Sequence, residues 1–225
     1  MKTLTIGSFL IIVLSICSAQ VMDIKEPRKK QLISTYGFIL GQNYALKIIE
    51  DKYPELNQKI QSAQYTFNVS ALGEGSRNLE NELSKLMKEE WKEYKEVAKK
   101  SIIEIYEKQE ITKKFAIDFL NQLIDRSKGD MPESIRDCLL SVNKQFERNP
   151  GLELALGWKK DFNSLKHQKS NGTDFTISFP LSWYERDGHR PSVMKVFRDK
   201  MGYGEIICTI TTEELNVPQN YSFKD

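Results

Sequence analysis

The chain has 225 residues, with 33 Lys and Arg against 31 Asp and Glu, two His and a formal net charge of +2. That near-balance excludes the strongly basic surface by which a protein attracts nucleic acid or anionic membrane in bulk. A 40% hydrophobic content suffices for one sizeable core or two small ones, while three Cys and two His leave little material for a zinc centre.

The first element is a secretory signal. Lys2 supplies the positive start, Ile6 to Ile16 an apolar run, and Cys17-Ser18-Ala19 a small-residue cleavage site, which predicts removal of residues 1–19. The run is too short for a membrane span, which needs roughly 20 apolar residues. No other run approaches that length, so no transmembrane segment is expected in the mature chain. A lipoprotein acylated at Cys17 is the rival reading, disfavoured by the bulky Ile16 before it. The protein is therefore expected to be secreted or periplasmic. Two cysteines then remain, Cys138 and Cys208. An oxidising compartment permits their bridge, but Cys138 stands on a helical apolar stripe and Cys208 in a strand, and free buried cysteine is common.

Residues 20–166 read as a helical domain. Leu32, Tyr36, Ile39, Asn43 and Leu46 recur at helical spacing, and Gly37 and Gly41 within that stripe suggest a close helix crossing. A second stripe (Leu56, Ile60, Ala63, Phe67) follows Pro54. "LGEGSR" (72–77) reads as a break, with Ser76 capping one long helix from Leu79 through Trp91 to Ile105. Residues 80–114 hold nine Lys and nine Glu, many three or four apart, which describes a solvated outer face. Thr112 is placed to cap the next helix and Gly129 to end it. Asp130-Met131-Pro132-Glu133 resembles a capping box before a helix that Asn149-Pro150-Gly151 stops. A short helix is expected from Leu152 to Phe162.

From 167 to 225 the rhythm changes to that of a small β region. Phe175, Ile177, Phe179, Leu181 and Trp183 alternate with smaller or polar residues, predicting a strand with one buried face. Pro180 belongs on an edge or at a bulge. Val193–Phe197 and Ile206–Thr211 read as two further strands, separated by the turn "DKMGYG". The fold class is thus α+β: a helical N-terminal region followed by a small antiparallel sheet.

Candidate chemistry is sparse. Asp187-Gly188-His189-Arg190-Pro191 reads first as a turn in which Asp-Gly supplies a positive φ. Its functional reading is a ligand-binding loop, with Arg190 holding a carboxylate or phosphate, His189 moving protons and Tyr184 pointing to the open face. "GEGSR" could cradle an anion before a helix but lacks the P-loop lysine. Glu89, Glu90, Glu93 and Glu96 are interleaved with lysine and read as solvated. No HExxH, paired CxxC, GxSxG or GxGxxG occurs, so neither metal, cofactor nor catalytic residue is expected. Asn68, Asn171 and Asn220 stand in glycosylation sequons, which matter only in a glycosylating host.

The stretches "YGFILGQNYALKIIEDKYPEL", "KQEITKKFAIDFL" and "SNGTDFTISFPLSWYERDGHRPSVMKVFRDKMGYG", in that order, resemble an uncharacterised family of secreted bacterial proteins over most of the mature chain. From Asp174 the chain also resembles the opening of a PsbP/Mog1-like domain: a strand, the Pro-x-x-Trp step Pro180–Trp183, and a hairpin. That resemblance implies a twisted antiparallel sheet flanked by helices, in a class composed mostly of binding or assembly modules. It implies no catalytic residue, and such domains continue beyond the strands present here. The expectation is an exported, non-enzymatic binding or scaffolding module of the cell envelope. An envelope or secreted protein would dock on an open β-edge near Tyr184–Arg190, without nucleic acid. The alternatives are an exported hydrolase with a cleft between the helical and β regions, and an inactive truncated relative.

Overall fold

A computed structural model describes residues 27–170, 172 and 174–212. The expected leader, Cys17, the sequons at Asn171 and Asn220 and the polar tail lie outside the described residues. The chain divides between Glu153 and Leu154 into a helical unit and a β unit.

The helical unit is built around α1 (Pro27–Lys52), which buries Leu32, Ile33, Tyr36, Phe38, Ile39, Ala45, Leu46 and Ile49 on more than one side. Apolar residues around most of a helix mark it as central. After a 3₁₀ turn (Pro54–Leu56) come α2 (Asn57–Asn68), α3 (Ala71–Met87), α4 (Glu90–Glu107) and α5 (Lys113–Arg126). Three shorter helices follow: α6 (Glu133–Ser141), α7 (Lys144–Arg148) and α8 (Pro150–Ala155). Helix α1 packs on α3, α4 and α6, and α2 packs on α5. Tyr36 meets Trp91 edge-on at 4.8 Å. The buried Arg126 donates to Gln42 Oε1 at 2.9 Å and lies over the rings of Phe38 and Phe119.

Local chemistry explains where the helices differ from expectation. Ser70, not Ser76, caps α3, accepting from the Gly73 amide. The helix runs through "LGEGSR" because its glycines serve packing. A Cβ on Gly75 would lie 2.0 Å from the Leu139 carbonyl oxygen, and one on Gly73 2.1 Å from that of Phe67. The expected long helix is two, broken at Lys88, whose φ is 51°. Thr112 does cap α5, accepting from Phe115 N–H. Asp130 caps nothing. Pro132 stands at the N-cap of α6, and the Asp130 amide instead donates to Asp125 O at 3.2 Å, closing the turn after α5. The helix from 133 also stops early, because Asn143 accepts from the amides of Gln145 and Phe146 and starts α7. Gly41 is not a tight crossing: a Cβ there would meet Ile102 at 3.6 Å, an ordinary contact.

In the β unit, the expected helix to Phe162 is replaced. Gly157, with φ 85°, ends α8, and Lys159–Asn163 form β1. Strand β2 (Thr176–Pro180) pairs antiparallel with β1, Phe162 opposite Ile177. The strand expected to run to Trp183 breaks at Pro180, whose carbonyl accepts from Trp183 N–H and closes a turn. The chain then enters a second sheet, in the order β3 (Tyr184–Asp187), β4 (Val193–Arg198), β5 (Ile207–Thr211). Phe162, Phe179, Met194, Phe197 and Ile210 form the core that joins the two sheets. Phe179 and Phe197 stack with centroids 3.5 Å apart. Phe175 and Trp183 pack against that core, as their alternation predicts. Ile177 is 40% exposed, since a two-stranded ribbon has one neighbouring strand to cover it. The architecture is α+β.

Candidate functional site

Alternation along β3 and β4 assigns each side chain to one of two faces. The registers set Tyr184 opposite Arg198 and Arg186 opposite Val196, then Arg198 opposite Ile207 and Val196 opposite Thr209. These residues share the front face. Glu185 and Asp187 share the back face with Phe197, where Lys195 Nζ lies 2.8 Å from Asp187 and 3.9 Å from Glu185. That lysine holds the Asp187 carboxyl below the usual range. A register irregularity between Val193 and Lys195 leaves Met194 fully buried, so that Val193 and Val196, three apart, reach the same side.

The front face is concave, enclosing about 480 Å³. Tyr184, His189 and Arg190, the three residues singled out in the sequence, all line it. So do Arg186 and Arg198. Among the described residues no Asp or Glu belongs to the lining, and none pairs with Arg186, Arg190 or Arg198. Two of these guanidiniums rest on neutral acceptors. Arg198 Nε donates to Gly204 O at 2.7 Å, and Arg186 Nη1 lies 2.8 Å from His189 Nε2. A guanidinium can only donate, so Nε2 accepts and the ring proton sits on Nδ1. The apolar part of the floor is Val193, Val196 and Ile207.

The loop Gly188–Ser192 is a turn, as its composition implies, but for another reason. Gly188 is not left-handed. Its missing side chain lets Val193 close in, since a Cβ would lie 2.2 Å from Val193 Cγ1. Lys169 fastens the loop from behind. Its ammonium donates to the carbonyls of Gly188, Arg190 and Val193 at 2.6, 2.9 and 3.0 Å. All three of its protons are thereby used. The backbone of Lys169 is held in turn, its amide donating to His167 Nδ1 and its carbonyl accepting from Thr212 Oγ1. The opposite rim is the turn Asp199–Gly202, where Lys200, Met201 and Gly202 are left-handed in succession. The Asp199 carboxylate clamps it by accepting from Ile206 N–H at 3.0 Å.

Other candidates resolve otherwise. "GEGSR" is helix interior. Among the described residues no three His, Cys, Asp or Glu are gathered to hold a metal ion; Glu90 pairs with Lys29 at 2.8 Å. Cys138 and Cys208 are free, and burial pushes the Cys138 thiol up. Arg186 was legible as the strand neighbour of Tyr184 two residues on. Arg198 needed the register, and Lys169 left no signal in sequence. No known protein family, no curated protein and no solved structure matches the chain.

Proposed function

We propose that this chain is an exported, non-enzymatic binding module of the bacterial cell envelope, whose recognition surface is the front face and β3 edge of its three-stranded sheet. The observation that carries the reading is the gathering of Tyr184, His189 and Arg190 with Arg186 and Arg198 around one concavity whose described lining holds no acid. Fixed positive charge beside apolar floor and exposed aromatic is the composition of an interaction hot spot. Strand β3 is an outer strand with all four residues exposed, so a partner strand could add there through main-chain hydrogen bonds. The likeness to secreted bacterial proteins, and of the C-terminal part to a PsbP/Mog1-like opening, supports the same assignment. A hydrolase needs a base beside a nucleophile; here the His189 ring is turned to Arg186.

The test is capture from envelope extract with the wild-type chain and with an Arg186→Ala/Arg190→Ala double variant of unchanged circular dichroism. The reading expects a specific component on the first and its loss from the second. Identical capture by both would remove this face from the function.

A further inference from the structure

Resting on the reading of this face as a binding surface, we infer that the concavity is a site for a small phosphate monoester carried on an apolar body. Arg186 pairs across the strands with Val196, and Arg198 stands two residues further along β4. Such diagonal neighbours have side-chain origins roughly 7–8 Å apart, a span that two long guanidinium side chains close around one group. Arg190 approaches from the loop at the same concavity. Like charges placed this closely repel in the free protein. Among the described residues they face no compensating carboxylate, whereas Lys195 on the back face has two. The front face is therefore left with positive charge for an anion to neutralise.

The number of cations selects the anion. A carboxylate has two oxygens and is satisfied by one bidentate arginine. Three guanidiniums arriving from β3, the loop and β4 match a group with three terminal oxygens and a charge of about −1.5 to −2, which is a phosphate monoester. Bare inorganic phosphate would leave Val196 and Ile207 uncovered, and Ile207 is 56% exposed. An apolar body on the ester oxygen covers them. The volume of about 480 Å³ is that of a small-molecule site. Lys169 positions the third arginine, since its ammonium holds the Arg190 carbonyl at 2.9 Å.

The probe is phenyl phosphate, titrated calorimetrically into the full chain at fixed ionic strength beside benzoate and inorganic phosphate. Phenyl phosphate is expected to bind more tightly than either. Arg186→Gln and Arg198→Gln should each weaken it about tenfold or more, the worth of a hydrogen bond to a charged group. Val196→Thr, which keeps the side-chain shape but replaces a methyl by a hydroxyl, should weaken phenyl phosphate and leave inorganic phosphate unchanged. On the unmutated chain, nuclear magnetic resonance shifts should fall on the Nε–H groups of Arg186 and Arg198 and on the Thr209 amide. Benzoate binding as tightly as phenyl phosphate would overturn the inference. So would shifts confined to other residues, or association with phosphatidate vesicles without phenyl phosphate binding. Retained, Arg-dependent capture from envelope extract without phenyl phosphate binding would overturn this inference alone and leave the binding-module reading standing.

Discussion

Gly75 on α3 and Gly41 on α1 differ in packing role. At Gly75 a methyl group would enter the Leu139 carbonyl, 2.0 Å away, so Gly75→Ala must push α3 off α6. The expected loss is about 1–3 kcal/mol, the usual range for overpacking. At Gly41 the methyl has room beside Ile102, and removing a helix-interior glycine restricts the unfolded chain. Gly41→Ala should therefore gain about 0.5–1 kcal/mol. Urea unfolding of the two variants measures both, and equal effects would contradict the packing described here. Tyr106 is a third case. Burial pushes its phenol up to about 12. Between pH 10 and 12 the unfolded chain loses that proton while the folded chain keeps it, so stability falls as pH rises through the window. The single group accounts for about 2–3 kcal/mol of that fall. Tyr106→Phe should flatten the alkaline limb of a stability–pH curve, and an unchanged limb would assign the loss to other groups. None of these three roles was legible in sequence, where "LGEGSR" reads as a loop and Tyr106 as one residue of a charged helix.

Caps and turns decide the elements. Ser70 and Thr112 start their helices by the same bond to the amide three residues on, yet only Thr112 was identified in advance, because the glycines after Ser70 disguise a helix as a break. Ser70→Ala should cost about 1 kcal/mol, measurable as a lowered urea midpoint with unchanged slope. The loop after β3 depends on Lys169. With Lys169→Met, three carbonyls lose their common donor, and the amides of Gly188 and Val193 should exchange with solvent faster while the β1–β2 pairing keeps its protection. Exchange that is unaltered at both amides would mean that the loop holds itself. The strand–turn–strand step at Pro180 was half legible. Proline announced an edge, but the change of sheet after it follows from Trp183 folding back on the Pro180 carbonyl.

At the scale of the molecule, two units carry different kinds of cohesion. The helical unit wraps a central helix, and the β unit closes two small sheets over an aromatic core of Phe162, Phe179 and Phe197. A three-stranded sheet of four to six residues per strand is marginal alone, and the core shared with β1–β2 is what holds its front face in shape. Phe197, fully buried and stacked on Phe179, is central to that core; Phe197→Ala should cost about 3–5 kcal/mol. It should also abolish binding at the front face, though Phe197 points away from it. A variant that unfolds in the β unit while α-helical circular dichroism persists would be the expected signature.

The amino-acid order by itself determined the class, a helical beat first and a pleated one after, because side-chain periodicity is a local property; the boundary, expected after residue 166, falls between Glu153 and Leu154, since Lys159–Asn163 form a strand that pairs with β2. It also placed Tyr184, His189 and Arg190 near one another, since they are close in sequence. Which further residues join them was decided by register. Arg198 reaches the same face through antiparallel pairing, and Lys169 through a loop that returns behind it. Such neighbours are made by distant stretches of chain meeting, and their energies exist only once the backbone has brought them together.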